Sequence, residues 1–209
     1  MKIYGDIYSG NCFKIKMICD LLDIEREWIP VDIMAGETRE ENFLALNPAS
    51  QIPVCVTDDG EVLTESNAIL YYLARDSDYW PDDLLTQTRV LEWQFFEQYS
   101  HEPTVAVARF IKAYQGIPDH RREEYETKLK GGYRALDLME RQLEGRKYLV
   151  GDRCTLADIS LFAYTHVADE GGFDLSPYAS IRGWIDTIKA LPGFVPMPPA
   201  DSRPSTRPS

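Results

Sequence analysis

Over its first third the chain alternates short apolar runs with helix-spaced ones, and that alternation leaves few folds open. Residues 2–8 are rich in Ile and Tyr and read as a strand. Cys12, Ile15, Ile18, Cys19 and Leu22 then recur at helical spacing. This predicts a helix over 11–22 with Lys14, Lys16 and Asp20 off its buried face. Ile29, Val31 and Ile33 alternate with Pro30 and Asp32 in a second strand, where Pro30 marks an edge. Thr38 and Glu41 form a capping-box pattern that opens a short helix ending near Asn47-Pro48. Two short runs, 54–57 and 61–64, joined by Asp58-Asp59-Gly60, make a hairpin, and a helix follows over 66–76. A strand–helix–strand unit implies a parallel pair, and the hairpin adds antiparallel strands. The expected fold is therefore α/β, with a mixed four-stranded sheet.

Beyond residue 77 the character changes. The stretch "DSDYWPDD" reads as a linker over 77–83, and no convincing strand follows it. Helical patterns run over 84–100, 104–114, 121–143, 155–170 and 178–191, punctuated by Pro103, Gly116-Ile117-Pro118, Gly145, Gly171-Gly172 and Pro192-Gly193. The expected organisation is an α/β domain at 1–76, an all-helical domain at 84–194 and a tail at 195–209. That tail is too rich in Pro and Ser to build a core of its own and is expected to be mobile unless it docks.

The formal charge of -12, from 34 acids against 22 bases, leaves little from which to build a basic face. Nucleic acid and anionic membrane are thereby excluded as main partners, and an anionic ligand must be met by local donors. No run approaches the ~20 apolar residues of a membrane helix. The N-terminus lacks the apolar stretch of a signal peptide, so the expected location is the cytoplasm. Cysteines at 12, 19, 55 and 154 contain no C-x-x-C, and His101, His120 and His166 form no ligand pair. No metal is expected, and each cysteine reads as a small buried hydrophobe.

Three segments carry candidate chemistry. "YSGNCFK" sets the hydroxyl of Ser9, the amide of Asn11 and the thiol of Cys12 within four positions at a strand-to-helix junction. Ser9 ends the predicted strand, where its side chain faces a cleft, whereas Cys12 shares the buried stripe with Ile15, Cys19 and Leu22. An exposed thiol at a helix N-terminus would be acidic, which keeps a cysteine mechanism open. "NPASQIPV" places Pro53 at the head of a strand. In a loop this proline is unremarked, but a cis Ile52–Pro53 bond would turn the main chain of Ile52 outward to pair with an extended ligand. Glu65-Ser66 stands where the hairpin enters a helix and suits either of two roles. Ser66 is a good N-cap; equally, Ser66 can bind a carboxylate at the positive helix end while Glu65 pairs with an ammonium.

These three segments, together with "LTESNAILYYLA", "YLVGDRCTLADISLF" and "WIDTIKALPGF", resemble the cytosolic glutathione S-transferase family over nearly the whole chain, to about Phe194. The resemblance implies a thioredoxin-like domain, an all-helical domain and a homodimer. It implies glutathione as co-substrate, no metal, and attack of its thiolate on a small hydrophobic electrophile. By position, Ser9 matches the serine that supports the thiolate in serine-type members, with Asn11 and Cys12 as fallback groups. Ile52, preceding Pro53, matches the residue whose backbone pairs with the cysteinyl part, and Glu65 and Ser66 match the pair on the γ-glutamyl end. Gln51 takes a place often filled by Lys or another donor to the glycyl carboxylate. Thr155 and Asp158 match a buried capping box, a structural role. His101, Arg109, Phe110, Tyr114 and Tyr164 are candidates for the electrophile pocket, although Arg109 could equally form a salt bridge. The rival readings are a glutathione-dependent thiol-disulfide reductase using Cys12 and a non-catalytic glutathione-binding protein.

Overall fold

The computed structural model describes residues 1–203, and within it the chain forms two compact units. The first comprises residues 1–75 together with the segment from 195 onward, and the second comprises residues 76–194.

The first unit holds β1 (Lys2–Gly5), α1 (Gly10–Leu21), β2 (Glu27–Pro30), α2 (Glu41–Leu46), β3 (Val54–Val56), β4 (Val62–Leu63) and α3 (Ser66–Ala74). The sheet order is β2-β1-β3-β4, with β1 and β2 parallel and both other pairs antiparallel. This is the mixed four-stranded sheet that the residue pattern implies. On one face Tyr4 and Val54 are cross-strand partners and pack with Val31, Phe43 and Leu46, which brings α2 onto that face. Ile3 and Cys55, paired on the other face, are fully buried, as are Phe13, Ile18, Ile69 and Leu70 of α1 and α3. The approach of α1 is set at Gly5, where an added Cβ would lie 2.9 Å from the Cys12 sulfur and 3.1 Å from the Trp28 ring.

Several local expectations are corrected. β1 stops at Gly5, not at residue 8, because Asp6 starts a turn in which its carbonyl takes the Ser9 N–H at 3.0 Å and its carboxylate takes the Tyr8 N–H at 2.9 Å. Thr38 caps no helix: it lies within a 3-10 turn, Glu37–Arg39, and Glu40 is the N-cap of α2 without a side-chain bond. Lys14, expected on the solvent face of α1, is fully buried, because its ammonium reaches Asn11 and Ser66. The tail does dock as far as Arg203, burying Met197 and Ala200 in the first unit; residues 204–209 lie outside the described residues.

The second unit is helical, with α4 (Leu84–Phe96), α5 (Glu102–Arg109), α6 (Arg122–Leu143), α7 (Leu156–Thr165) and α8 (Ala179–Lys189). The break expected at Pro103 is absent. Helical backbone runs unbroken from 84 to 114, through π turns at Glu97–His101 and Phe110–Tyr114. The wider π turn just upstream makes room for the proline ring in the first turn of α5. No helix among the described residues is long and apolar enough to cross a membrane.

At the start of α7, Thr155 and Asp158 form the reciprocal capping box. Asp158, with no exposed surface, also accepts from the N–H of Leu149 at 2.8 Å and from Trp184 Nε1 at 2.9 Å. Burial pushes its carboxyl up to about 6, against the pull of the donors from Leu149, Thr155 and Trp184. At neutral pH it remains a carboxylate, the acceptor that these donors need. Asp158→Ala should therefore cost roughly 3 kcal/mol or more, since several buried donors lose their acceptor at once. Urea unfolding at neutral pH measures this, and a loss below about 1 kcal/mol, the scale of one ordinary hydrogen bond, would contradict it.

Candidate functional site

In the first unit the candidate groups gather around the N-termini of α1 and α3. Ser9 is the N-cap of α1, in extended backbone, with its Oγ accepting the Cys12 N–H at 3.5 Å. It is partly exposed. A hydroxyl that accepts in this way keeps its own proton for donation. The same helix end adds its partial positive charge.

Cys12, one turn further on, has no exposed surface. Burial pushes its thiol up to about 12; the hydrogen bonds from the Asp6 backbone and Ser9 oppose this, and the Asp6 charge adds to it. The condition for an acidic thiol at a helix N-terminus, exposure, is not met.

Ser66 is not the cap of α3. It is the first residue of that helix, and Glu65 is the N-cap residue without a side-chain capping bond. The Ser66 hydroxyl donates to Asn11 Oδ1 at 3.2 Å and accepts from Lys14 Nζ at 3.1 Å, while Lys14 also donates to Asn11 Oδ1 at 2.8 Å. The structure thus joins Asn11 and Ser66 through a buried ammonium. The residue type of Lys14 reads as solvent-facing, although at helical spacing it stands beside Ile18 at the border of the buried stripe; its bond to Ser66 of α3 has no signal in local spacing.

Glu65 is exposed and has φ of 66°, a region that costs a non-glycine residue about 1–3 kcal/mol. A cap alone gives no reason for such strain, since ordinary caps sit in extended backbone. Across the α2–β3 loop the Ile52–Pro53 bond is cis, Pro53 is buried and Gln51 is exposed. Asn47 pins this loop, donating from Nδ2 to the Gln51 carbonyl at 2.8 Å and accepting the Ala49 N–H at 3.1 Å.

The remaining candidates lie in the second unit. His101 is fully buried, with Nε2 2.9 Å from the Thr165 hydroxyl. Arg109 is 2% exposed; its Nε donates to Glu170 at 2.6 Å, and its guanidinium lies 5.3 Å from the Tyr114 ring centre. The salt bridge expected of Arg109 as one of two roles is present. Phe110 and Tyr114 share a π turn with ring centres 5.7 Å apart, and Tyr164 is buried.

Comparison with known proteins identifies the family. Residues 8–76 match the glutathione S-transferase N-terminal domain, and residues 96–192 match the glutathione S-transferase C-terminal domain. Among solved structures, a glutathione S-transferase from Pseudomonas fluorescens is 56% identical, with a TM-score of 0.92 over 94% of this chain and 98% of that one. One from Xanthobacter autotrophicus is 44% identical, with a TM-score of 0.92 over 96% and 98%. Glutathione S-transferase 3 of Zea mays is 31% identical over 97% of both chains. Matched in both its parts and along its length, the chain belongs to the glutathione S-transferase family.

Proposed function

We propose that the chain is a serine-type glutathione transferase, which binds glutathione on its first unit and directs the thiolate at a small hydrophobic electrophile. The observation that carries this reading is the contrast at the head of α1: a partly exposed Ser9 hydroxyl with a proton to give, and a Cys12 thiol with no exposed surface. The Ser9 O–H and the positive end of α1 stabilise the thiolate over the thiol, so more of the nucleophile exists near neutral pH. The sulfur attacks the electrophile by substitution or conjugate addition. In substitution the leaving group departs with the bonding electron pair and the negative charge; in conjugate addition that charge passes to the new carbanion, which takes a proton from water and becomes neutral.

The tripeptide is held along the site. Its γ-glutamyl carboxylate meets the Ser66 hydroxyl and main-chain N–H, with the Lys14 charge behind them. Its ammonium meets the Glu65 carboxylate, which the strained backbone holds out to solvent. The cysteinyl part pairs with the main chain of Ile52, and Gln51 faces the glycyl end. The protein works in the cytoplasm as a homodimer. Support for the dimer comes from large apolar side chains left exposed within each unit: Leu84 (78%), Phe95 (70%) and Tyr99 (90%) in one, Tyr71 and Tyr72 in the other.

Ser9→Ala should lower conjugation of an aromatic halide by roughly one to three orders of magnitude, the scale of losing one preorganised donor. Cys12→Ala should keep most of that turnover. In the native protein, Cys12 should escape alkylation until the chain unfolds. Loss of turnover in Cys12→Ala alone, with rapid native labelling of Cys12, would favour the reductase instead.

Glutathione should raise the thermal midpoint, as any ligand of the native state does, and Glu65→Ala or Ser66→Ala should remove most of that rise. An undiminished rise in both variants would show that the pair does not bind the ligand. Absence of conjugation and disulfide reduction in a folded protein that still binds glutathione would leave a binding protein.

Sedimentation at micromolar concentration should give twice the mass of one chain, and Phe95→Glu should shift it toward a single chain. A wild-type particle of single-chain mass would contradict the dimer.

A further inference from the structure

Outside the glutathione contacts, the most heavily built feature of the first unit is the docking of its C-terminal arm. Arg203 sits 12% exposed between two carboxylates, with Nη1 2.6 Å from Asp6 Oδ2 and Nη2 2.8 Å from Asp32 Oδ1. Its guanidinium lies 5.2 Å from the centre of the Tyr8 ring, and the Tyr8 hydroxyl donates to the Ser202 carbonyl at 3.1 Å. One planar fork thus closes on two carboxylates and a ring, a geometry that Arg can make and Lys cannot.

Asp6 and Asp32 follow the ends of the parallel strands β1 and β2, where Gly5 stands opposite Pro30. Asp32 is fixed from its own side by the N–H groups of Met34 and Ala35. Burial raises its carboxyl, but these donors and Arg203 outweigh that and hold it below the usual carboxylate range. Asp6 is buried, and two bonds that shape the turn into Ser9 end on it: Oδ1 takes the Tyr8 N–H and the carbonyl takes the Ser9 N–H. The arm therefore grips Asp6 and Tyr8, the two ends of the three-residue stretch that precedes Ser9.

We propose that the arm clamps the β1–α1 turn and that Arg203 is a positioning residue for Ser9, acting through Asp6 and Tyr8. The effect has two parts. Arg203 fixes the Asp6 carboxylate that orients the turn, and it neutralises a buried negative charge three residues from the proposed thiolate position. Among the described residues, the charged or titratable groups that the contacts bring around Asp6 include Arg203, Asp32, Glu37 (bonded to the Asp32 N–H), Tyr8, Cys12 and Lys14. Removing Arg203 leaves two carboxylates at one sheet end without the cation that bridges them, so a nearby thiolate becomes harder to form.

The proposal rests on the glutathione reading only for the identity of the thiolate, so its test has one readout with glutathione and one without. Hydrogen exchange at the Tyr8 and Ser9 amides is followed in the full chain. In parallel, the pH dependence of thiolate absorbance is measured for bound glutathione. In R203Q, exchange at both amides should rise about tenfold as the turn opens more often. Ionisation of the bound thiol should move to higher pH, and kcat should fall while KM for glutathione changes little. R203K, whose ammonium cannot fork across both carboxylates, should be intermediate. Adding D6N to R203Q should return the thiol titration part of the way toward wild type by removing the nearer of the two carboxylates that lost their cation.

Wild-type exchange at both amides, with an unaltered thiol titration in folded R203Q, would overturn the clamp. Should R203Q not fold, R203K decides in the same way: faster exchange supports the clamp and unchanged exchange overturns it. If wild-type protein shows no bound thiolate, the glutathione reading falls, and the exchange measurement alone judges the arm.

Discussion

The contact of Cys12 with Gly5 sets the geometry of the candidate site. A glycine at the end of β1 lets the sulfur of Cys12 settle where a Cβ would otherwise sit, with Trp28 of the neighbouring strand closing the gap. That packing fixes the height of α1 above the sheet. It turns Cys12 inward and, one helical turn earlier, leaves Ser9 as the last residue before the helix, facing out. The two candidate chemistries are separated by this contact. A thiol used as packing cannot also be an accessible nucleophile, and burial raises the cost of its ionised form.

A second constraint is electrostatic. Lys14 is a buried ammonium, which is costly unless its donors are satisfied, and Asn11 and Ser66 supply two of the acceptors. In doing so they tie the first turn of α1 to the first turn of α3, so the two positive helix ends converge on one region of the unit. A chain with a formal charge of -12 can meet an anionic ligand only through such a local arrangement. Glu65, which leads into α3, is exposed and held at φ of 66°.

The sheet and most helices were legible in the sequence because their apolar periodicities are strong and their breakers, Gly60 in the hairpin and Gly145 after α6, stand at the ends of elements. Where the pattern and the structure differ, the cause is either a distant partner or a local backbone turn that apolar spacing does not register. Lys14 looked solvent-facing because its burial depends on Ser66, 52 positions away. The strand was drawn too long because Asp6 turns the backbone with its own side chain, which apolar spacing does not register. The helix through Pro103 continued because a π turn changes the register, and no local signal announced one. Ser66 looked like a cap from its residue type alone; its true place, one position inside the helix, follows from the backbone of Glu65. Arg203 was hidden in a tail whose composition resists folding by itself, and it docks on acids contributed by the opposite end of the sequence.

The central claim is that a hydroxyl, and not a thiol, of this chain attends the glutathione sulfur. A crystal structure of the complex with glutathione tests it most directly. With Ser9 as the donor, the sulfur lies within hydrogen-bonding distance of Ser9 Oγ and Cys12 stays packed against Gly5. A sulfur seated instead on Cys12, with α1 displaced to expose that thiol, would contradict it.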